Sequence, residues 1–490
     1  MRPDSRLAGA TGKWAEALGS EKVIAGETEL AVANRATFDH PSRIAVVLRP
    51  TTRGDVSACL AIAAEHGVPL HPVSRGRNWG YGSRLPVKGE AALLSLDALN
   101  TISDFDNELG LVTVEPGVTL SQLGAFLEKT GWWPPQTGAG IDTSIVGNVL
   151  ERGIGKGPYE DMSQLMCGCE VMLPNGTVVR TGMAAVPGAR PDTAAATAPG
   201  PAFGGLFAQS NFGVILSMTL RLHPRPQHRT IFWATMKGVG ALTQCVDRLR
   251  PWLQRWPSGR EASLLNGARV QSQTYEMPDT RYQQFVGADI HDQWVLGVTL
   301  WSDDADDIAL RIRSLRAALG TLPVESGEMP EDALKSSAVT HDGLRTAYWA
   351  KGVAMPPDPD PDRDGCGVIW VVPIIPMRGA QVAAALAGLG AIMRTFGFPP
   401  GVSLRLGDGK TIKAVIPLLY DRNVPGADTR ATDCAVTMRT FLLDQGLVPY
   451  RLSIADMGHV PADSGSAQLS QAIKAWADPH GIISPGRYTG

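Results

Sequence analysis

The chain has 490 residues, of which 44% are hydrophobic and 19% charged, with a formal net charge of −3 and a pI near 6.3. These values are typical of a globular protein of two or three domains, and they exclude a disordered chain and a basic nucleic-acid-binding surface. The longest apolar stretch, Val368 to Met377, is too short for a membrane span, and no signal-peptide pattern follows Met1, so we expect a cytoplasmic protein without membrane contact.

Six cysteines are scattered along the chain, which is too few for a disulfide scaffold. Cys167 and Cys169 are close together, but no second pair of Cys or His follows them at the spacing of a zinc site. We therefore expect reduced, buried thiols and no metal.

The first elements alternate between strand and helix. Arg43 to Leu48 is a short β-branched run, and Thr52 has the pattern of an N-cap for an apolar-periodic helix over Val56 to His66. Gly67 ends that helix, and Val68 to Val73 predicts a second strand that leads into a glycine-rich loop.

That loop, Pro72 to Gly82, reads PVSRGRNWGYG. Glycine allows positive φ angles and close approach of a ligand, and consecutive backbone N–H groups form a concave anion-binding nest. The segment therefore predicts either a diphosphate-binding loop or an ordinary surface loop.

The alternation continues with a strand at Leu111 to Val114, a turn at Glu115 to Gly117 and a helix after Thr119. Ala184 to Pro201 has no periodicity and predicts a surface excursion. After a strand at Val214 to Leu220, two prolines mark a domain boundary near residue 225, beyond which charged helices such as Asp304 to Leu319 appear. The fold class that this order predicts is α/β or α+β.

Two segments resemble common nucleotide-binding motifs only in part. Gly138 to Thr143 lacks the third glycine of the dinucleotide fingerprint, and Gly153 to Gly157 has the wrong spacing. The lysine-containing phosphate loop of nucleotide triphosphatases is absent from the sequence.

Four segments in order resemble the motifs of the vanillyl alcohol oxidase and p-cresol methylhydroxylase flavoenzymes. They are Ser74 to Gly82, Ser144 to Tyr159, Gly205 to Gly213 and Asp478 to Arg487. The resemblance implies a two-part FAD-binding domain, residues 1–225 and 446–490, with an α+β cap domain at 226–445 that covers the flavin and shapes the substrate pocket.

The resemblance also implies which residues hold FAD. The predicted cofactor contacts are Pro72, Ser74, Arg75, Gly76, Arg77, Asn78, Trp79, Gly80, Pro116, Gly117, Gly140, Ser144, Gly147, Asn148, Gly153, Ile154, Gly155, Asn211, Gly213, Val214, Ile215 and Arg487.

Three residues match the positions at which this family holds the oxygen of a phenolic substrate: Tyr81, Tyr450 and Arg451. A fixed guanidinium and two hydroxyl donors lower the pKa of a phenol, and the resulting phenolate loses a hydride from the benzylic carbon at its para position more easily. Because neighbouring residues of a strand point to opposite faces, this role requires a loop or bulge at 450–451. The alternative for the last two is a strand end with a surface arginine.

Two further residues match positions near the family's active site. Asp142 corresponds to an acidic residue beside flavin N5, where it would transfer protons or activate water; otherwise it caps an Asx turn. Tyr159 is predicted to lie near the active site or, equally, to be a buried structural tyrosine.

The chain departs from the family pattern at the residue that tethers the flavin. Many relatives carry His or Tyr there, whereas this chain has Val368 or Ile369, neither of which forms such a bond. We therefore predict non-covalent FAD, with Cys366 as an alternative linking residue.

The function predicted from these residues is FAD-dependent oxidation of 4-alkylphenols or 4-hydroxybenzyl alcohols through a quinone methide, followed by water addition or desaturation. Two alternatives are the oxidation of a different alcohol or hydroxy acid on the same fold, and a dehydrogenase subunit that passes electrons to a cytochrome partner. The chain has no haem-attachment motif, so O2 or a partner's haem would be the acceptor. We expect a homodimer or larger oligomer.

Overall fold

The computed structural model describes residues 5–190, 193–274, 292–330, 341–459 and 463–489. The chain begins with a four-stranded sheet of order β1-β2-β4-β3, in which β2, β4 and β3 are parallel and β1 is an antiparallel edge. Its strands are β1 Val23–Ile24, β2 Arg43–Leu48, β3 Leu70–Val73 and β4 Glu90–Ser95, and the helices around it are α1 Ser5–Leu18, α2 Glu27–Ala33 and α3 Arg53–His66.

Local sequence signals explain the bounds of α3. The Thr52 side chain accepts a hydrogen bond from the Asp55 N–H, so the helix begins three residues before the predicted Val56. Gly67 ends it in the left-handed conformation, with φ at 63°.

A second, antiparallel sheet follows in the order β5-β6-β10-β8-β9. Its strands are β5 Ile102–Asp106, β6 Leu111–Val114, β8 Met166–Met172, β9 Val178–Arg180 and β10 Val214–Arg221. A small ribbon joins β7 Trp132–Trp133 to β11 His223–Pro224, and the sheet packs against α4 Leu120–Leu127 and α5 Ile145–Leu150. The capping box of Thr119 and Gln122 begins α4 where the sequence predicts it.

The described part of residues 228–421 forms a larger antiparallel sheet of order β15-β12-β14-β13-β18-β19-β16, with β17 paired to β19. Its strands are β12 His228–Lys237, β13 Arg260–Asn266, β14 Gln293–Ser302, β15 Glu325–Pro330, β16 Cys366–Val371, β17 Ile374–Pro376, β18 Ser403–Arg405 and β19 Thr411–Asp421. The helices after β11 are α6 Val239–Arg255, α7 Gly267–Thr274, α8 Ala305–Leu319, α9 Arg345–Trp349, α10 Gly379–Thr395, α11 Ala427–Asp444 and α12 Gly465–Ala477.

The C-terminal segment returns to the first sheet. The Leu70 N–H donates to the Ile482 carbonyl, the Ser484 N–H donates to the Leu70 carbonyl, and the Asn211 side chain donates to the Ser484 carbonyl. These contacts join the C-terminal segment to the N-terminal part of the chain; the division into a two-part domain, 1–225 with 446–490, and an intervening cap stays a prediction.

The remaining expectations concern cysteines and membranes. All six cysteines are buried and unpaired, as predicted. Within the described ranges, no helix is long and apolar enough to cross a membrane.

Candidate active site

A cavity of about 630 Å³ lies where the N-terminal sheets and the C-terminal segment meet the large sheet. Its walls come from the glycine-rich loop, the segments around α5, the residues before β10, the C-terminal segment and the inner side of the large sheet. Segments that are distant in sequence therefore share one space.

The glycine-rich loop forms the wall nearest β3. Gly76, Gly80 and Gly82 have φ angles of 65°, 77° and 116°, which only glycine adopts without strain. Within the described chain, no acceptor takes a hydrogen bond from the backbone N–H groups of residues 75–79. This row of unpaired donors has the character of an anion nest.

Most of the predicted cofactor residues line this cavity. They are Pro72, Ser74, Arg75, Gly76, Arg77, Asn78, Trp79, Pro116, Ser144, Gly147, Asn148, Gly153, Ile154, Gly155, Asn211, Gly213, Val214, Ile215 and Arg487.

Gly80, Gly117 and Gly140 do not line it. Each packs against protein instead: a Cβ on Gly80 would lie 2.1 Å from the Trp370 ring, and one on Gly117 would lie 2.5 Å from the Asp97 carbonyl. A Cβ on Gly140 would meet Leu344 at 2.9 Å. These glycines allow close packing around the cavity.

The segment around α5 is held by its N-cap. The Ser144 hydroxyl donates to the Pro116 carbonyl at 2.6 Å and accepts from the Gly147 N–H at 2.9 Å. This places Gly147 opposite Ser74, where an added Cβ would lie 3.6 Å from the Ser74 hydroxyl. The loop and the turn thus form two facing sides of the cavity.

The three predicted phenol-binding residues come together on the wall. The Arg451 guanidinium carbon lies 3.5 Å from the centroid of the Tyr81 ring and 5.8 Å from that of Tyr450. Arg451 Nη2 donates to Asn78 Oδ1 at 2.8 Å. Residues 450 and 451 lie outside any strand, after a bridge between Pro373 and Pro449, as this convergence requires.

Burial and neighbouring charges determine the charge states of Tyr81 and Arg451. Burial raises the pKa of Tyr81 well above its usual value, Tyr450 raises it further and Arg451 opposes the rise, so Tyr81 is a neutral hydrogen-bond donor. Burial alone would lower the pKa of Arg451, but Tyr450, Tyr81 and Glu151 raise it, so Arg451 stays cationic.

Glu151 is a site residue that the sequence analysis missed. It lies on the cavity wall, forms an ion pair with Arg487 and lies 4.0 Å from Arg451. Its position inside the Ser144 to Tyr159 motif could have identified it. A charged residue in a segment that is predicted to be buried against a cofactor needs a partner of opposite charge.

Asp142 and Tyr159 do not lie on the cavity wall. The Asp142 carboxylate lies 3.9 Å from the His341 imidazole, although its neighbours Ala139 and Thr143 do line the cavity. The Tyr159 hydroxyl donates to the Trp133 carbonyl and accepts from the His223 N–H, within a hydrophobic core. That arrangement is the buried structural alternative.

Strand β16 presents alternate residues to the cavity. Val368 and Trp370 line it, and so does Val372 just beyond the strand, whereas Ile369 does not. Cys366 is fully buried outside the cavity, and burial raises the pKa of its thiol to about 12. The residue that faces the cavity at the predicted linkage position is thus a valine.

Arg405, on strand β18, and Arg269, on helix α7, also line the cavity, and the sequence analysis identified neither. Arg405 forms an ion pair with Glu261 at 2.5 Å and donates to the Gly155 carbonyl at 3.2 Å. Arg269, on α7, hydrogen-bonds to the hydroxyls of Ser272 and Thr346. Nothing in the local sequence distinguishes these arginines from surface residues.

The cavity fits FAD by the chemistry of its walls. The unpaired N–H groups of residues 75–79 suit a diphosphate. Arg487, which is paired with Glu151, and Asn211, which donates to the Ser484 carbonyl, line the same cavity. His71 also lines the cavity; burial lowers its pKa to about 3, so it is neutral and adds no charge.

Comparisons with known proteins agree with this geometry. Residues 44–182 match the model of a family described as "FAD binding domain". The chain is 34% identical to the 1'-carboxy-chondrochloren decarboxylase of Chondromyces crocatus, over 98% of this chain and 96% of that protein. It is 27% identical to the flavoprotein subunit of 4-cresol dehydrogenase (hydroxylating) of Pseudomonas putida, over 98% and 94% of the two chains.

The fold is that of a solved flavoprotein. The crystal structure of p-cresol methylhydroxylase with substrate bound superimposes with a TM-score of 0.86 at 23% identity, covering 99% of this chain and 97% of that one.

Proposed function

The chain belongs to the vanillyl alcohol oxidase and p-cresol methylhydroxylase family of FAD-linked oxidoreductases, and from this premise we propose that it oxidises para-substituted phenols at the benzylic carbon. The observation that carries the proposal is the convergence of Arg451, Tyr81 and Tyr450 on one cavity wall. The substrates we propose are 4-alkylphenols and 4-hydroxybenzyl alcohols.

The three residues would bind the substrate as a phenolate. A buried guanidinium stabilises the anion over the neutral phenol, and the hydroxyls of the two tyrosines would donate hydrogen bonds to its oxygen. Because Glu151 and Arg487 pair with each other beside Arg451, the positive charge of Arg451 stays directed at the ligand without making the site strongly cationic.

FAD, held by the residues around the anion nest, would supply the acceptor for the hydride that leaves the benzylic carbon. The loss converts the phenolate into a quinone methide, and addition of water or loss of a proton completes the reaction. We keep Asp142 as the proposed proton-transfer residue, with Asp142→Asn as its test: flavin reduction by a 4-alkylphenol should slow at least about tenfold. An unchanged rate would leave Asp142 with the turn-capping role.

A second candidate outcome is favoured by the relative that is named a decarboxylase. If the carbon next to the benzylic carbon carries a carboxylate, its bond to that carboxylate can break once the quinone methide has formed. The electron pair forms a carbon–carbon double bond, the ring returns to a phenolate and CO2 leaves, so atoms and electrons balance without a further reagent.

The binding mode of FAD and the electron acceptor are separate proposals. We propose non-covalent FAD, because a valine faces the cavity at the linkage position. Acid precipitation should leave the yellow colour in the supernatant, and a yellow pellet would contradict it.

Either O2 or a cytochrome partner accepts the electrons, and rapid reoxidation in air would favour O2. The 27% identical relative is named a flavoprotein subunit, so a partner chain is the alternative. A homodimer or larger assembly stays a prediction for gel filtration.

The decisive experiment is anaerobic mixing of the holoenzyme with a panel of compounds while the flavin absorbance is recorded. We expect bleaching by 4-ethylphenol or 4-hydroxybenzyl alcohol and none by the corresponding compounds without the hydroxyl. Bleaching by a hydroxy acid or a non-phenolic alcohol alone would overturn the proposal in favour of another oxidation on the same fold. Product analysis with 3-(4-hydroxyphenyl)propionate separates hydroxylation, desaturation and CO2 release.

A further inference from the structure

A buried arginine of the cap, Arg269, has no role in the chemistry above. Its side chain lies on α7, is 5% exposed and lines the cavity. Burying a guanidinium is costly unless an anion compensates its charge. The groups that contact Arg269 therefore indicate its role.

Those partners are neutral. Nη1 hydrogen-bonds to the Thr346 hydroxyl at 2.9 Å and to the Ser272 hydroxyl at 3.2 Å, and Nε has no acceptor among the described residues. The guanidinium also lies over the Trp370 ring at 5.7 Å. Burial lowers the pKa of Arg269 to about 10, with no described carboxylate to oppose it, yet the group remains charged at neutral pH.

The position of Arg269 relative to the proposed phenol-binding residues indicates which part of a ligand it would contact. Trp370 packs against the glycine-rich loop: its indole N–H donates to the Trp79 carbonyl, and its ring lies where a Cβ of Gly80 would be. Tyr81 follows directly in the loop and lies under Arg451. Arg269 and the loop that holds Tyr81 thus both contact Trp370, and both arginines line one cavity.

From this arrangement we propose that the cap carries an anion subsite, in which Arg269 binds a carboxylate on the para side chain of the phenolic substrate. The inference rests on the proposed function for the other end of the substrate. The chemical class it selects is a para-hydroxyphenyl compound with an acidic tail, since a planar guanidinium binds a carboxylate more strongly than any neutral group.

The test is equilibrium binding to the holoenzyme of two ligands that cannot be oxidised, because oxygen replaces the benzylic carbon: 4-hydroxyphenoxyacetate and the uncharged 4-ethoxyphenol. By titration calorimetry we expect the carboxylate to bind at least about tenfold more tightly. Arg269→Met should abolish that preference and leave 4-ethoxyphenol within about threefold. Arg269→Lys should retain part of it. Gln273→Met, which changes a neutral residue of the same cavity wall on α7, should retain all of it.

Three results would overturn the subsite: no preference in the wild type, equal weakening of both ligands by Arg269→Met, or loss of flavin from that variant, which would assign Arg269 to the cofactor. Failure of the proposed function looks different. If 4-hydroxyphenoxyacetate binds through Arg269 but neither 4-propylphenol nor 3-(4-hydroxyphenyl)propionate reduces the flavin, the subsite stands and phenol oxidation falls. If no phenol binds, the binding of phenoxyacetate, which lacks the hydroxyl, tests Arg269 alone. Binding that Arg269→Met abolishes supports the subsite, and binding that the variant leaves unchanged overturns it.

Discussion

Two buried arginines line the same cavity, one from each part of the molecule. Arg451, from the C-terminal segment, has a side chain that is 9% exposed and lies among Tyr81, Asn78 and Glu151. Arg269, from the cap, is 5% exposed and contacts the hydroxyls of Ser272 and Thr346. Both lose solvation, but only Arg451 has a carboxylate nearby among the described residues.

The proposed function and the proposed anion subsite assign the two arginines to opposite ends of the substrate, Arg451 to the phenolate and Arg269 to the acidic tail. The surroundings of Arg451 raise its pKa and orient it over an aromatic ring, which suits a group that stabilises a phenolate throughout the reaction. Burial lowers the pKa of Arg269, so a bound anion would stabilise its charge most. The comparison predicts that variants of the first arginine affect the rate, whereas variants of the second affect the choice of ligand.

The largest expected effect comes from Arg451→Met. Flavin reduction by 4-ethylphenol should slow by about 10³-fold, or roughly 4 kcal/mol of transition-state stabilisation, because the phenol is no longer held as an anion. The variant should fold and keep FAD, since Glu151 remains paired with Arg487. Stopped-flow absorbance measures the rate, and the visible spectrum measures the flavin content.

The pH dependence distinguishes this role from a structural one. The variant's rate should rise with pH toward the pKa of the free phenol, near 10, while the wild-type rate changes little from pH 6 to 9. A parallel pH profile in both proteins would remove the distinction between the two arginines.

The contact between the glycine-rich loop and strand β16 is tested by Gly80→Ala. An added Cβ would lie 2.1 Å from the Trp370 ring, so the loop and the cap strand must separate, at a cost of roughly 3 kcal/mol. Gly89→Ala is the matched control, because Gly89 has a similar φ of 68° and open space around its Cα. Thermal unfolding should show a clear loss of Tm for the first variant only; equal losses would assign the effect to φ alone.

A buried acid, Asp362, lies close to this contact. Its Oδ1 accepts a hydrogen bond from Ser83 at 2.7 Å, and its Oδ2 has no partner in the described chain. Burial raises the pKa of Asp362 from 3.8 to about 7. Between those two pH values the folded protein keeps a proton that the unfolded chain releases, so stability falls as pH rises and then levels off above pH 7.

Asp362→Asn should remove that decline and stabilise the protein at pH 8 by on the order of 1–3 kcal/mol. Apparent Tm values from pH 5 to 8 measure it. A wild-type Tm that rises steadily over this range, with the variant parallel to it, would mean that Asp362 is ionised in the folded protein.

Tyr81→Phe is expected to have a smaller effect on the rate than Arg451→Met. The phenyl ring keeps its contact with Arg451, so only one hydroxyl donor is lost, and flavin reduction by 4-alkylphenols should slow by roughly 10- to 30-fold, or about 2 kcal/mol. FAD content should not change. If flavin is lost instead, Tyr81 belongs to cofactor binding rather than to the phenolate end.

Local features of the fold were predictable from neighbouring residues. The caps at Thr52 and Thr119, the left-handed Gly67 and the glycine-rich loop lie where their sequence patterns place them. These features depend on backbone conformations that a few adjacent residues determine. The loop at 450–451 was predictable for the same reason, because Pro449 prevents a regular strand there.

Other expectations depended on packing and were less precise. Gly80 was expected to contact the cofactor, but its missing side chain makes room for Trp370, and Tyr159 hydrogen-bonds to two backbone groups away from the cavity. Motif membership indicates that a residue is close to the site. It does not indicate whether that residue faces the ligand or supports the wall behind it.

By itself the sequence determined the family and the glycine-rich loop, and it predicted the trio of Tyr81, Tyr450 and Arg451, because each is encoded in a short segment with its own backbone preferences. Only the tertiary structure decided that Glu151 lies beside Arg451 and that Arg269 of the cap faces the same cavity without a described carboxylate. The physical reason is that burial and charge compensation belong to a whole environment, assembled here from a loop, a C-terminal segment and a sheet that are remote from one another along the chain.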